Sequence, residues 1–314
     1  MKAVVAERFG GPDVLRLTEV PDPFTPLGCV RIAVHAAGLN PVDAGNRVDG
    51  TWAGLTAPCI LGYDVAGVVD EVGEGADGAL VGDRVMAMTA FPAGAGGYAE
   101  FAVVDAKLVA PVPPECSLVE AAGVPLAAGT AFEVLDRLEL AAESSVLVLG
   151  ASGGVGTFLV QLGAAAGLRI AAVGSEPSHS LLRELGATWT LDYRTRNVAE
   201  AAQEEVGGPV DAIVDLVGAD VLQASLPAVR PHGSLAAIAT PTLDLDPVLD
   251  SNLSFHGVLI ENDPDRIRSL GRLLADGTFR SIVSAVFSPE RASEAHQLLE
   301  TGHSGGKIVL QFRS

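Results

Sequence analysis

The sequence predicts an α/β protein in which a β-rich domain is interrupted by an inserted domain of alternating strands and helices. Three observations carry that expectation. Residues 1–115 alternate short apolar runs with Pro, Gly and Asp roughly every ten positions, the pattern of a barrel or sandwich. From about residue 118 the rhythm becomes strand, helix, strand, with nearly continuous apolar runs, as parallel strands covered on both faces require. The last forty residues return to the first style. The expected division is residues 1–117 with 277–314 for the β-rich domain and 118–276 for the insert.

Each segment supports this reading in turn. "KAVVAERF", "CVRIAVHAAGL", "VAGVVDEVG", "DRVMAM" and "AEFAVV" read as the early strands, and "PVPPECS" at 111–117 as a proline-stiffened boundary. "SLVEAAGVPLAAGTAFEVLDRL" has a helical pattern with Ser117 as N-cap. Five short β-rich runs follow: "SVLVLG" (145–150), "RIAAVG" (169–174), "WTLDY" (189–193), "DAIVDLVG" (211–218) and "SLAAIAT" (234–240). Helical patterns such as "TFLVQLGAAAG" and "HSLLRELG" lie between most of them. "TFRSIVSAVFS", "PERASEAHQLLETG" and "GKIVLQF" then predict strand, helix and final strand.

Composition narrows the partners. The formal net charge is −19 over 314 residues. So acidic a surface repels phosphate backbones and anionic lipid, which argues against nucleic acid and membrane as partners. Cys29, Cys59 and Cys116 are far apart, with no metal-ligand spacing and no disulfide framework. The start "MKAVVAERFGGPD" lacks a signal-peptide core, and no uninterrupted apolar run reaches the roughly 18 residues of a membrane span. A cytoplasmic protein is expected.

The chemistry-bearing motif is "SVLVLGASGGVG". Gly150, Gly153, Gly154 and Gly156, with Ala151, Ser152 and Val155 among them, sit where a buried strand hands over to an apolar helix. Glycine permits a sharp bend and the close approach of a phosphate. The N–H groups and dipole at the helix start favour an anion. A tight turn without ligand would use the same residues. The βα units that follow favour dinucleotide binding. The second strand ends in Gly174 and Ser175, not in the acidic residue that holds a ribose 2′-hydroxyl. That leaves room for a 2′-phosphate, to which Ser175, Tyr193 and Arg194 could donate. Glu176 argues for NADH instead. NADPH is the expected cofactor.

Taken together, the blocks "AAGLNPVDAGNR" (36–47), "ILGYDVAGVVDEVG" (60–73), "VGDRV", "GGYAEFAVV", "VPLAAGTAFEVL", "VLVLGASGGVG", "LGATWTLDYR" and "GGKIVL" resemble those of the medium-chain dehydrogenase/reductase superfamily, in its zinc-independent quinone oxidoreductase branch. The resemblance spans essentially the whole chain. It implies a GroES-like catalytic domain interrupted by a Rossmann cofactor-binding domain, an active site in the cleft between them, and a homodimer formed through the sheet edge at "SFHGVLI". It also implies that zinc-dependent relatives carry Cys at the place of Asn40 and His at that of Tyr63. The four-cysteine loop of a structural zinc is missing as well, so no zinc is expected.

Without a Lewis acid, alcohol oxidation becomes hard, whereas hydride transfer to a quinone or α,β-unsaturated carbonyl remains feasible. The alternatives are an enoyl reductase acting on an acyl thioester and a non-catalytic NADPH-binding sensor or scaffold. By the resemblance, Asn40 faces the nicotinamide; the alternative is a turn residue before Pro41. Thr130 lies near the nicotinamide or is simply a buried threonine. Tyr63 donates to the acceptor carbonyl or fills the space left by the metal. Trp52 lines the acceptor pocket. Asp43 and Arg47 bind substrate or pair with each other at i, i+4. Gly45 replaces a tyrosine of some relatives, and Ser178 stands near the family's phosphate-binding lysine. Val217, Ala239, Leu259 and Lys307 are expected along the cofactor, with Lys307 either meeting a phosphate or facing water at a strand edge.

Overall fold

The computed structural model describes residues 1–313. The chain opens with β1 (Lys2–Ala6), β2 (Leu15–Glu19), β3 (Cys29–Gly38), α1 (Pro41–Val48), β4 (Cys59–Ile60), β5 (Asp64–Val72), β6 (Arg84–Met88), β7 (Phe101–Asp105) and β8 (Val109–Pro111). Two helices follow, α2 (Leu118–Ala121) and α3 (Pro125–Leu138). The βα run is β9 (Ser145–Leu149), α4 (Gly154–Ala165), β10 (Arg169–Gly174), α5 (His179–Glu184), β11 (Trp189–Asp192), α6 (Val198–Val206) and β12 (Val210–Asp215). It continues through α7 (Val221–Ser225), β13 (Val229–Ala237), α8 (Leu245–Asp250) and β14 (Ser254–Gly257). The chain closes with α9 (Pro264–Ala275), β15 (Val283–Phe287), α10 (Ala292–Glu300) and β16 (Lys307–Gln311).

Two compact units result: Met1–Gly129 with Glu261–Ser314, and Thr130–Ile260. The segment 118–129 and helix α9 therefore belong to the first unit, whereas the sequence reading placed them in the insert. Ser117 caps α2 as expected, its Oγ accepting from Glu120 N. The single helix expected there is two, because Gly123 and Val124 close turns onto Glu120 O and Ala121 O before Pro125 starts α3.

The first unit holds two sheets. β1 pairs antiparallel with β2 and β4, and a seven-stranded sheet runs β15-β16-β3-β5-β6-β8 with β7 paired to β3. Ten-residue β3 is the spine of that sheet, bonded along its length to β16, β5 and β7. One face of the unit is closed by Val30, Ile32, Val34, Val65, Val85 and Val104. A second cluster joins Leu39, Leu61 and Tyr98 to Ala292, Ala295 and Leu310 of the C-terminal segment. The late strand and helix are thus structural partners of residues about 190 to 270 positions earlier.

The second unit is a six-stranded parallel sheet ordered β11-β10-β9-β12-β13-β14. Central β9 is buried at all five positions, which explains its unbroken apolar run. Leu147, Leu149, Val173, Ile213 and Leu235 form its core with Ala199, Ala202 and Leu222 of the helices. Strand order reverses at β9, so adjacent crossovers leave in opposite directions and open a crevice at the carboxyl end of that strand.

Candidate active site

In the second unit, the residues picked out as cofactor-binding gather at one edge of the sheet. Gly150 follows β9, Gly174 ends β10, and Tyr193 and Arg194 follow β11; Val217 follows β12, Ala239 follows β13 and Leu259 follows β14. Because all six strands are parallel, these are the carboxyl ends of the sheet, where ligands bind in open α/β folds. Val217, Leu259 and Tyr193 are apolar or aromatic side chains left exposed at this edge.

Steric limits fix the residues of the glycine loop. Gly150 has φ +81°, a conformation unfavourable to side chains, and an added Cβ would lie 2.9 Å from Val217 Cγ2. At Gly156 a Cβ would stand 2.5 Å from both Gly150 O and Ala151 O, so only glycine lets α4 sit this close to the loop. Gly153 is the N-cap of α4 and no side chain caps the helix. The first-turn N–H groups of Gly154, Val155 and Gly156 are thus left without a side-chain acceptor, and the helix dipole favours a negative group there. Ser152 completes the loop.

The ends of β10 and β11 are in register, Gly174 opposite Asp192, which brings Ser175 and the Tyr193–Arg194 pair to neighbouring strand ends. Arg194 Nε donates to Tyr193 Oη at 3.3 Å and its guanidinium lies over that ring. Glu176 is exposed. Asp215 was missed in the sequence reading. Fully buried at the end of β12, its Oδ1 accepts from Val217 N and Gly218 N at 2.9 and 3.0 Å and so shapes the loop that carries Val217. An acid closing an apolar strand in "DAIVDLVG" was the available signal.

In the first unit a buried polar cluster surrounds Asn40. Lys307 Nζ donates to Asn40 Oδ1 at 2.5 Å and to Leu39 O at 2.9 Å, and lies 3.5 Å from Asp64 Oδ2. Asn40 Nδ2 donates to Asp64 Oδ2 at 2.9 Å, while Asp64 Oδ1 accepts from Leu126 N at 2.8 Å. Asp43 Oδ2 accepts from Asn40 N at 2.8 Å and from Tyr98 Oη at 3.0 Å, and its Oδ1 has no partner. Burial pushes Asp43 up to about 7. Burial likewise raises Asp64 against the pull of Lys307, and lowers Lys307 against the pull of Asp64 and Asp43.

Several expectations are corrected here. Lys307 is 3% exposed and its ammonium is committed inside the unit, so it neither faces water nor reaches for a phosphate. Asp43 and Arg47 do not pair with each other. Asp43 closes the first turn of α1, while Arg47 turns away to Gly10 O, His296 Nδ1 and Glu300 Oε1. Both are buried; Arg47 is spent on three protein partners, and Asp43 keeps only Oδ1 unpartnered inside the unit, which argues against both as substrate ligands. Tyr63 is fully buried too; its hydroxyl accepts from Asn46 Nδ2 and donates to Pro92 O, both at 2.7 Å. It fills space rather than offering a donor to an acceptor carbonyl, and burial pushes its phenol up to about 12.

Trp52 is half exposed and packs edge-on against Phe91 at 6.1 Å; Phe91 in turn meets Tyr63 edge-on at 5.0 Å. Thr130 is buried on α3. Among the described residues, no group of three or more His, Cys, Asp or Glu side chains is arranged to hold a metal ion, and no helix is long and apolar enough to cross a membrane.

A parallel sheet with its glycine loop at the strand-order reversal, joined to a β-rich unit assembled from both chain ends, defines a dinucleotide-binding oxidoreductase architecture. Residues 27–114 match the alcohol dehydrogenase GroES-like domain family and residues 185–310 the zinc-binding dehydrogenase family. The chain is 33% identical to the chloroplastic NADPH-dependent alkenal/one oxidoreductase of Arabidopsis thaliana, over 99% of this chain and 79% of that protein. It is 30% identical to the quinone oxidoreductase of Rattus norvegicus, over 98% and 96%. The solved quinone oxidoreductase of Coxiella burnetii superposes with a TM-score of 0.91 at 31% identity, covering 100% of this chain and 99% of that one. The chain belongs to the medium-chain dehydrogenase/reductase superfamily, in its quinone-oxidoreductase-like branch.

Proposed function

We propose that this protein is an NADPH-dependent oxidoreductase that delivers a hydride, without zinc, to a quinone or an α,β-unsaturated carbonyl compound. The observation that carries the reading is the uncapped start of α4 beneath Gly150, at the carboxyl edge of the sheet. Bound NADPH supplies the hydride. The residues 150–156 would hold its pyrophosphate through backbone N–H groups, and Ser175, Tyr193 and Arg194 the 2′-phosphate; Gly174 keeps the strand end open, since a Cβ there would meet Ser178 Oγ at 2.5 Å. Val217, Ala239 and Leu259 would flank the rest of the cofactor.

On the acceptor side, Asn40 and Thr130 are assigned to the reacting end of the cofactor, and Trp52, backed by Phe91, to the wall against which a planar acceptor rests. The first unit's chemistry supports a zinc-free reading. At the place of one zinc ligand stands an amide already bonded to a buried ammonium, and a divalent cation beside Lys307 would meet direct repulsion. At the place of another stands a phenol whose hydroxyl is occupied. The reading includes a cytoplasmic setting and a homodimer through β14, which ends the parallel sheet with one edge unpaired.

The test is oxidation of NADPH and of NADH by the purified full chain, with chelator present, against quinones, enones and enoyl thioesters. Turnover with NADPH that survives chelation is expected. A clear preference for NADH overturns the 2′-phosphate assignment, loss of activity on chelation overturns the zinc-free assignment, and tight NADPH binding without turnover of any acceptor class overturns the reductase reading.

A further inference from the structure

Three adjacent strands bring Lys307, Asn40 and Asp64 together. In the antiparallel pair of β16 and β3, Val309 faces Gly38, and continuing that register places Lys307 across from Asn40. In the pair of β3 and β5, Gly38 faces Asp64. The side chain of Asn40 is therefore flanked by a cation on one side and a carboxylate on the other. An ammonium only donates and a carboxylate only accepts, so the amide has one permitted orientation, Oδ1 toward Lys307 and Nδ2 toward Asp64. One Nδ2–H of the amide is not used by these two bonds.

The arrangement is expensive as a stabilising device. An ammonium 3% exposed and a carboxylate fully buried lose more hydration than their mutual attraction returns unless the geometry is very good, and apolar side chains of the same volume serve stability as well or better. What the charges provide and apolar residues could not is a fixed dipole direction for the amide. Asp64 also anchors the start of α3 through Leu126 N, which ties the amide to the backbone on both sides.

We propose that Lys307 and Asp64 are positioning residues: they hold the Asn40 amide in one orientation, so that its free N–H is presented to the acceptor or the nicotinamide without rotational search. The inference rests on the assignment of Asn40 to the reacting end of the cofactor. Preorganised donors lose no energy to reorientation as charge develops, and a misplacement of about 1 Å can cost about a hundredfold in rate.

The experiment is a double-mutant cycle on the full chain, read as kcat and KM for NADPH and menadione. Lys307→Met alone leaves Asp64 buried without its counter-ion and endangers folding, so the working variant is the charge-neutral pair Lys307→Met/Asp64→Asn. It is combined with Asn40→Ala, and the fold of each protein is checked by circular dichroism and thermal midpoint. We expect Asn40→Ala and the pair variant each to lower kcat by about tenfold or more with the KM for NADPH unchanged, and the combined variant to fall no further. If the pair variant lowers kcat by the same factor whether or not Asn40 is present, Lys307 and Asp64 act independently of it and the proposal fails. If the pair variant keeps full kcat while Asn40→Ala does not, the proposal fails and the assignment of Asn40 stands. If Asn40→Ala keeps full kcat, that assignment falls and the positioning role with it.

Discussion

The guanidinium of Arg47 and the carboxylate of Glu300, 253 positions apart in sequence, meet at 2.5 Å, and this contact ties α1 to α10. Arg47 is 1% exposed while Glu300 is partly in water. Replacing Arg47 by Met strands His296 and Gly10 O as well as Glu300. Because Glu300 can recover solvent, the loss is set below that of a fully buried pair, at about 2–3 kcal/mol. Denaturant midpoints measure it. A large rise in acceptor KM with an unchanged midpoint would return Arg47 to the substrate site.

Tyr63 is expected to be a structural residue. Tyr63→Phe removes the hydroxyl that joins Asn46 to Pro92 O and leaves a buried donor and a carbonyl unpaired, at a cost of about 1–3 kcal/mol. Its kcat should stay within about threefold of the parent, since no transition-state contact is removed. A hundredfold fall in kcat at unchanged stability would make the phenol a donor to the acceptor after all.

Two buried groups give opposite pH dependences. Asp43 rises from 3.8 to about 7 through burial, so the folded state binds the proton more tightly than the unfolded chain. Its stabilisation is complete below pH 3.8 and is lost as pH climbs toward 7. His296 falls from 6.5 to about 3 through burial and the nearby Arg47, so its contribution is complete above pH 6.5 and is lost as pH drops toward 3. Between about pH 4 and 6.5 the two slopes oppose each other. Asp43→Asn keeps an acceptor for Asn40 N and Tyr98 Oη but cannot titrate. Its stability should therefore rise with pH across this interval more steeply than that of the parent protein, as followed by urea melts. Parallel profiles would show that Asp43 is ionised throughout.

Gly156→Ala tests the glycine loop. The added Cβ cannot stand 2.5 Å from two carbonyl oxygens, so α4 must move off the loop. NADPH affinity, followed by fluorescence titration, should weaken by about tenfold or more, with about 1–3 kcal/mol lost in stability. Unchanged binding would mean that the pyrophosphate does not use this helix.

Arg194→Gln tests the cofactor preference. A charge-assisted bond to a 2′-phosphate is worth about 1.5–3 kcal/mol, so KM for NADPH should rise by about tenfold to a hundredfold while KM for NADH stays level. Equal changes for both cofactors would remove Arg194 from the phosphate site.

Much of the parallel sheet could be read directly. "SVLVLG" and "RIAAVG" carry their structure in an unbroken apolar run, because a strand covered on both faces leaves no polar alternation to misread. The glycine loop was legible for a related reason: the positive φ of Gly150 and the contact of Gly156 with the carbonyls of Gly150 and Ala151 are constraints written within a few residues, although the Val217 contact of Gly150 is not. The helix expected over 117–138 was misjudged at one point, where Gly123 and Pro125 divide it. Both breakers were visible, but the apolar periodicity on either side outweighed them.

The cluster around Asn40 was legible in part. Asn40 and Asp43 could be singled out in "AAGLNPVDAGNR", and Lys307 in "GGKIVL", yet nothing local shows that Lys307 lies against Asn40 rather than in water. Antiparallel register between β16 and β3 decides that, and the packing of α1 against α10 decides that Arg47 turns to Glu300 and away from Asp43. Residue types, periodicity and glycine positions act over a few neighbours; they were enough to reach the fold class, and the resemblance of whole motif blocks added the family. Which charges end up buried, and against which partners, depends on contacts between segments some 270 residues apart. Such contacts exist only once β3 and β16 share one sheet.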